Sequence, residues 1–341
     1  MTTENEAEVP TVTIPTVSEQ ESFEGLLQIC EEKGHLQRPP GLQEGDVPDG
    51  INDHATFMRF LQGRGFDPQG ALNQYEEAIV IRNNTDATRA YDTISVGDFE
   101  ETRRMYPTWS GRRDKRGLPI CLFDIGQLSS EAMSKYNANQ TSTTRNQHTV
   151  VFHDYMTRFV LPLCASMPDC KAQSPSVVST VYIVNAASFG LRQAWSLKGY
   201  AQDISQLLAM CYPEMVDRCY VLNAPTYFGK IWSILSKFVD PRTASKLIIV
   251  SSGNESLSTL TRLIDVENIP IEYGGKFVYK PGMTPKLDEG LLKHMQWALP
   301  GDSLPEGPIK WVQDSNKGRV ALATGFSDGV RRNDIIATLI N

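Results

Sequence analysis

No stretch of the 341 residues approaches the ~18 consecutive apolar residues that a membrane-crossing helix requires, so any membrane contact read from this chain is peripheral. Basic charge is scarce as well, with 33 Lys and Arg against 40 Asp and Glu. Residues 1–21 hold Glu4, Glu6, Glu8, Glu19 and Glu21 and no cation; subtracting those five from the net charge of −7 leaves −2 for the rest. A body so nearly neutral lacks the electrostatic footprint of nucleic-acid binding, and no nucleic-acid partner is expected. Attachment to anionic membranes by charge alone is equally unsupported. The six cysteines (Cys30, Cys121, Cys164, Cys170, Cys211, Cys219) include no Cys-x-x-Cys pair, and four sit in apolar surroundings, as reduced core cysteines do. His148 and His153 stand five apart with no Glu after His148, so the zinc-protease helix is missing and no metal is expected. Gly-x-Gly-x-x-Gly, the P-loop and the Gly-x-Ser-x-Gly elbow are all absent, which argues against a nucleotide-dependent enzyme or an esterase. The N-terminus has neither the basic start nor the apolar stretch of a signal peptide, and Leu339-Ile340-Asn341 is not a prenylation box. The expectation is a cytoplasmic protein, not an enzyme, with transient peripheral membrane association.

What is present alternates. Residues 1–20, rich in Thr, Glu, Val and Pro, read as a disordered acidic tail. Phe23 to Leu36 reads as a short helix; Asn52 or Asp53 can cap a second that carries Phe57, Met58, Phe60 and Leu61; Asp67-Pro68 starts a third that runs to about Arg82. Leu118–Ile125, Val177–Ala186, Cys219–Leu222 and Leu247–Ser251 read as strands. Helical stretches lie between them at about Thr144–Leu161 and Gly190–Cys211, the latter aligning Leu191, Trp195, Ile204, Leu207, Leu208 and Cys211 on one face. Strand and helix in alternation predict an α/β fold with a largely parallel sheet. After Lys280 the pattern is irregular, with a short helix expected around Leu291–Ala298, while Trp297 and Trp311 suggest that this end docks back on the body. No internal repeat is visible.

The block from Tyr212 to Lys276 is the most informative. At about 100° per residue, Tyr227, Phe228, Ile231, Trp232, Ile234, Leu235, Phe238 and Val239 fall within an arc of about 160°. Gly229, Lys230, Ser233, Ser236 and Lys237 fill the opposite side. That pattern suits either a core helix with a wide apolar stripe or a movable lid that covers a lipid or meets a bilayer.

Five motifs in order carry a resemblance: Arg59-Phe60-Leu61-x-x-Arg64-x-Phe66-Asp67, Asp114-Lys115-x-Gly117-x-Pro119, Tyr212-Pro213-Glu214, Asn223-Ala224-Pro225 and Gly274-Gly275-Lys276. Together they resemble the CRAL-TRIO lipid-binding family, and within it the phosphatidylinositol-transfer branch typified by fungal secretory transfer proteins, over about residues 21–280. The resemblance implies a helical N-terminal lobe (21–94), a lipid-binding lobe (95–280) with a hydrophobic cavity floored by a mostly parallel sheet, and a C-terminal extension (281–341). It also implies a mobile gate helix, here Thr226–Val239, with Tyr227, Phe228, Ile231, Trp232, Leu235 and Phe238 on its apolar face. Matched position by position, it implies an inositol-headgroup site of Arg64, Asp114, Glu214, Thr243 and Lys246. Cations and donors (Lys246, Thr243, Arg64) suit a phosphodiester, and ionised carboxylates (Glu214, Asp114) suit inositol hydroxyls.

Taken singly, these residues read more plainly. Lys246 is then a solvated lysine at a strand start, Arg64 and Asp114 a surface charge pair, and Glu214 the start of a turn. The family order favours the headgroup role. The pocket-floor positions are Thr180 and Tyr182, where relatives that also bind phosphatidylcholine carry small hydroxyl residues. The ring of Tyr182 would fill volume there, which puts phosphatidylcholine in doubt and leaves a sterol or an isoprenoid open as second ligand. Some relatives bind haem from this strand; Val184 and Ala186 offer no ligand, so no cofactor is expected. The resulting expectation is a monomeric carrier that exchanges phosphatidylinositol with membranes. The alternatives are a carrier of another hydrophobic ligand and a lipid-sensing adaptor.

Overall fold

The computed structural model describes residues 16–138, 141–170, 177–190, 193, 197–239, 241–250, 254–298 and 301–340. The tail reading of residues 1–15 and the placement of Leu191 and Trp195 lie outside them.

Local chemistry sets the first helices. Thr16 and Glu19 form a reciprocal capping box, so α1 (Val17–Glu32) starts earlier than expected and residues 17–20, read as tail, are its first turn. Asp53 caps α2 (His54–Gly63), and Asp67 with Pro68 in the first turn starts α3 (Pro68–Asn84). Phe57 and Phe60 of α2 meet Tyr75 of α3 with ring centroids 4.9 and 5.4 Å apart, closing these two helices on each other. Two short helices, α4 (Ala87–Thr93) and α5 (Val96–Arg103), extend the lobe.

The sheet begins at β1 (Thr108–Arg113), which sequence reading missed, and returns antiparallel as β2 (Pro119–Asp124). The strand Thr-Trp-Ser-Gly-Arg-Arg looks polar, but Arg113 is buried between Asp169 at 2.7 Å and Asp288 at 2.8 Å. Gly111, at φ 86°, lies against the Lys286 backbone, which any Cβ would strike. Helices α6 (Ser130–Ala138) and α7 (Ser142–Tyr155) follow. Pro162 does not stop this stretch: a π turn at Met156–Val160 widens the helix around the proline, and α8 (Leu161–Ala165) continues it. Then come β3 (Thr180–Asn185), α9 (Lys198–Cys211), β4 (Val216–Leu222), α10 (Phe228–Leu235), α11 (Pro241–Ser245), β5 (Leu247–Ile249) and α12 (Asn254–Leu260). The strands stand in the order β1-β2-β3-β4-β5, parallel from β2 onward. This is the expected mixed α/β architecture with a mostly parallel sheet.

The C-terminal segment is far more regular than its prolines suggested. After α13 (Glu289–His294), the expected helix gives way to β6 (Met295–Trp297). With β7 (Ile309–Asp314), β8 (Gly318–Ala323) and β11 (Asp334–Leu339) it forms a four-stranded antiparallel sheet in the order β6-β11-β8-β7. A two-residue hairpin, β9 (Phe326–Ser327) and β10 (Val330–Arg331), interrupts the run. Trp311 docks this sheet as expected, donating its indole N–H to the Phe159 carbonyl at 3.1 Å. Ile309, Lys310 and Trp311 are all buried, which hides the alternation of an ordinary strand.

Lys310 explains that burial. Its ammonium donates to Asp46 and Asp92 at 2.8 Å each, and Arg158 approaches Asp46 at 3.7 Å while lying 4.4 Å over the Tyr91 ring. Two cations face two carboxylates away from water, a balance that holds only while all four remain. Lys310→Met should therefore lower unfolding free energy by about 3–5 kcal/mol in urea titrations. A loss below about 1 kcal/mol would mean that water reaches the cluster.

Candidate functional site

Between α9 and the helices α3, α6 and α7 lies a cavity of about 1520 Å³. That exceeds the roughly 300–1,000 Å³ of ordinary small-molecule pockets. Ile81, Met133, Tyr136, Tyr182, Tyr200, Ile204, Leu207 and Leu208 line it, together with the polar Ser142, Arg145, Asn146, Asp203, Ser205 and Gln206. Its mouth is Gly63, Arg64, Gln74, Pro213, Glu214, Val239, Arg242, Thr243 and Lys246.

Two tyrosines that line the cavity, Tyr200 and Tyr212, give their hydroxyls to the protein. Tyr200 donates to the Met105 carbonyl at 2.7 Å, and the Tyr212 hydroxyl lies 2.7 Å from Asp154 Oδ1 and 2.8 Å from the Val150 carbonyl. Behind them, Tyr106 shares a 2.9 Å hydrogen bond with Thr149. The Tyr200 and Tyr212 hydroxyls are thus already bonded within the protein. His153 joins this wall, its Nδ1 2.8 Å from the Thr149 carbonyl and its ring edge-on to Tyr106. Burial keeps it neutral, depressing its pKa to about 4.

The mouth is the opposite in character. Lys246 Nζ donates to Glu214 Oε2 at 2.6 Å and to the Val216 carbonyl at 2.6 Å. Arg242 donates to the Gln62 carbonyl at 2.7 Å and reaches Glu214 Oε1 at 3.4 Å. Arg64 Nε donates to Gln74 Oε1 at 2.7 Å. Glu214 sits at φ 58°, a left-handed conformation that a side chain disfavours, and the preceding Pro213 packs against Gly63, where any Cβ would crowd it. The turn after α9 is thus held under constraint, with its carboxylate turned toward the cations of α11 and β5.

Arg64, Glu214, Thr243, Lys246 and Tyr182 line this one cavity, so sequence reasoning had them together. Asp114 and Thr180 are not among its lining residues. Asp114 is buried in the β1–β2 turn, accepting from the backbone N–H groups of Arg116 and Leu118 and from the Arg116 side chain, which also binds Asp217. Burial raises the pKa of that carboxyl despite its arginine. Thr180 is buried and donates to the Met215 carbonyl at 2.8 Å. In α10, Phe228 and Ile231 are buried, Trp232 and Leu235 pack on the core, and Tyr227 and Ile234 are exposed. The Phe238 side chain lies outside the described residues. Among the described residues of the span 226–239, Val239 alone lines the cavity.

Sequence reasoning missed Arg242 and Gln74. Arg242 directly precedes Thr243, which the resemblance did assign. Gln74 was visible as a polar residue on the apolar face of α3, between Leu72, Tyr75 and Ala78. Among the described residues no three His, Cys, Asp or Glu side chains converge as metal ligands. Burial pushes the thiols of Cys211 and Cys219 up to about 12, which leaves them protonated and poorly nucleophilic. Among the described residues no helix is long and apolar enough to cross a membrane.

The fold and site define an α/β protein with a large cavity of mixed apolar and polar lining and a charged cluster around Glu214. Residues 103–275, half of the chain, match the CRAL/TRIO domain, and the chain belongs to that family. It is 25% identical over 254 residues to the SEC14 cytosolic factor of Yarrowia lipolytica, spanning 74% of this chain but about half, 49%, of that protein. The SEC14 cytosolic factor of Eremothecium gossypii is 23% identical over 224 residues, 66% of this chain and 70% of that one. The phosphatidylinositol/phosphatidylcholine transfer protein SFH9 of Arabidopsis thaliana is 24% identical over 233 residues, 67% of this chain and 38% of that one. A solved structure described as "Crystal structure of Sfh5" aligns with a TM-score of 0.48 at 13% identity, over 82% of this chain and 96% of that one.

The cavity wall has a pH signature. His153 stays neutral in the fold down to about pH 4, whereas the unfolded chain takes up that proton near 6.5. Its folded pKa is depressed, so the stability it contributes is present above 6.5 and lost as pH falls toward 4. The stability difference between wild type and His153→Phe should shift by about 3 kcal/mol against wild type across that window. Comparing the two proteins cancels other titrating groups such as Asp49, whose carboxyl is pushed up to about 6 by burial. An offset that stays constant with pH would mean that water reaches the ring.

Proposed function

We propose that this protein binds phosphatidylinositol and exchanges phospholipid with membranes, its acyl chains in the cavity and its headgroup at the mouth. The observation that carries the reading is the position of Lys246, Arg242, Arg64 and Thr243 around Glu214 at the rim of a large apolar space. A phosphodiester matches the cations, and inositol hydroxyls match the carboxylate. Glu214 is the counter-ion that Lys246 holds, so a phosphate would enter by sharing Lys246 with it. Asp114 takes no part in this reading, because its oxygens are occupied within the β1–β2 turn. The name of the phosphatidylinositol/phosphatidylcholine transfer relative supports the same class of ligand. The protein would act as a monomer, with residues 21–94 as the helical lobe, 95–280 as the lipid-binding lobe and 281–341 as an extension that braces both.

Tyr182 favours a second reading within the same class. Its ring occupies the floor where a small hydroxyl residue would leave room for a phosphocholine group, and its neighbours present ring faces rather than donors. A sterol or an isoprenoid suits that wall better than phosphatidylcholine. Under this alternative the protein carries such a hydrophobe, or senses it as an adaptor.

Vesicle assays separate these readings. Lys246→Ala and Glu214→Lys should each reduce phosphatidylinositol transfer more than about tenfold, because each strands a charge whose partner is lost. Normal transfer by either variant would remove the headgroup assignment.

For entry, we propose that Thr226–Val239 moves as a gate. Asn223, at φ 54°, and Pro241 bound it, offering hinges where regular structure breaks. Exposing each large apolar side chain to water costs about 1.5–3 kcal/mol, so opening is favoured only where a bilayer receives Trp232 and its neighbours. Trp232→Glu should slow lipid exchange while leaving the melting temperature of the loaded protein near wild type. Unimpaired exchange would return the helix to an ordinary core element.

A further inference from the structure

Gln74 joins parts of the mouth that come from different elements. It lies on α3 with 5% of its surface exposed, and a buried amide there needs partners for its donors and its acceptor. Its Oε1 accepts from Arg64 Nε at 2.7 Å, and its Nε2 donates to the carbonyls of Ala209 at 2.9 Å and Met210 at 3.2 Å. The partners fix which way the amide faces, since a guanidinium can only donate and carbonyls can only accept. Ala209 and Met210 belong to the last turn of α9, where carbonyls have no intrahelical donor. Tyr212-Pro213-Glu214 follow directly, and Glu214 holds Lys246. A continuous path therefore runs from Arg64 through Gln74 and the end of α9 to Glu214 and Lys246.

We infer that Gln74 is a positioning residue that sets headgroup specificity: it fixes Arg64 relative to Glu214 and Lys246. The inference rests on the phosphatidylinositol reading above. Tethered at Nε, Arg64 lines the cavity and keeps Nη1 and Nη2, for which no partner is found among the described residues, for a ligand. A planar fork recognises a phosphate only when its orientation is held, which distinguishes this site from one that needs charge alone. A methionine at this position has similar length and volume but neither donates to α9 nor accepts from Arg64. The cavity would keep its shape, and the mouth would lose the spacing between its cation and its carboxylate.

The test compares two ligands on the full chain. Phosphatidylinositol affinity is measured by displacement, and uptake of a pyrene-labelled fatty alcohol reports the cavity without a headgroup. In Gln74→Met, phosphatidylinositol affinity should fall about tenfold, the scale of a lost hydrogen bond to a charged group, while fatty-alcohol uptake stays at the wild-type level. Arg64→Ala should fall at least as far, and the double variant should fall no further than Arg64→Ala alone. Unchanged phosphatidylinositol affinity in Gln74→Met overturns the inference, as does equal weakening for both ligands or losses that multiply in the double variant. Should Gln74→Met fail to fold, Gln74→Glu keeps an acceptor for Arg64 but offers α9 no donor. It should show the same selective fall, and wild-type affinity there also overturns the inference. A wild-type protein that takes the alcohol but no phosphatidylinositol removes the underlying reading instead.

Discussion

Arg82 reaches from α3 to grip Asp154 on α7 with two hydrogen bonds of 2.7 and 2.8 Å, and Tyr212 closes on the same carboxylate. Asp154 is fully buried, so the pair cannot be exchanged for water without stranding a charge. This bond couples the helical lobe to the wall of the cavity. It also anchors the residue that begins the Tyr-Pro-Glu turn. Glu214, two positions on, tolerates φ 58° because Tyr212 behind it cannot relax and Pro213 is wedged against Gly63. The strain at the mouth is thus held by an ion pair inside the protein.

From that anchor the division of labour in the cavity follows. Two tyrosines of the wall give their hydroxyls to the protein: Tyr200 to Met105, and Tyr212 to the Asp154 cluster. The interior therefore accepts hydrocarbon without leaving buried donors unpaired, which would cost more than the contact gains. The charged cluster in which Lys246 and Arg242 share Glu214 remains within reach of water. Under the proposed reading, an amphiphile with one anionic end would place that end there, and the same few side chains would set its direction of entry and the headgroup it carries.

Much of this was legible in the sequence. Helix caps at Asp53 and Asp67, the strand pattern of β2 and β3, and the ordered motifs around Arg64, Glu214 and Lys246 are local signals that survive folding. What escaped reading was non-local. The β1 strand is disguised because Arg113 is buried by carboxylates 56 and 175 residues away. Lys310 hides β7 in the same way, since a lysine on a strand reads as solvent-facing unless its partners Asp46 and Asp92 are known to be adjacent. Asp114 fits the family pattern, but Arg116 two residues later claims it, and only the folded turn shows which partner wins. Gln74 had a visible signal, one amide on an apolar helical face, but no local rule says that its partners are Arg64 and the end of α9.

The C-terminal sheet extends the same logic across the molecule. Lys310 and Trp311 sit on one strand, the first bound to Asp46 and Asp92 of the helical region, the second to the Phe159 carbonyl in the π turn. That π turn follows directly on α7, whose Asp154 holds Arg82 and Tyr212. Pro162 widens the helix there, and Arg158 from the widened turn completes the charge balance around Asp46. The proline, the buried lysine and the mouth of the cavity are therefore parts of one mechanical frame. Displacing the sheet would unbalance the Asp46 cluster first and reach the cavity wall through the π turn. That order makes residues after 281 a brace for the cavity rather than an appendage to it.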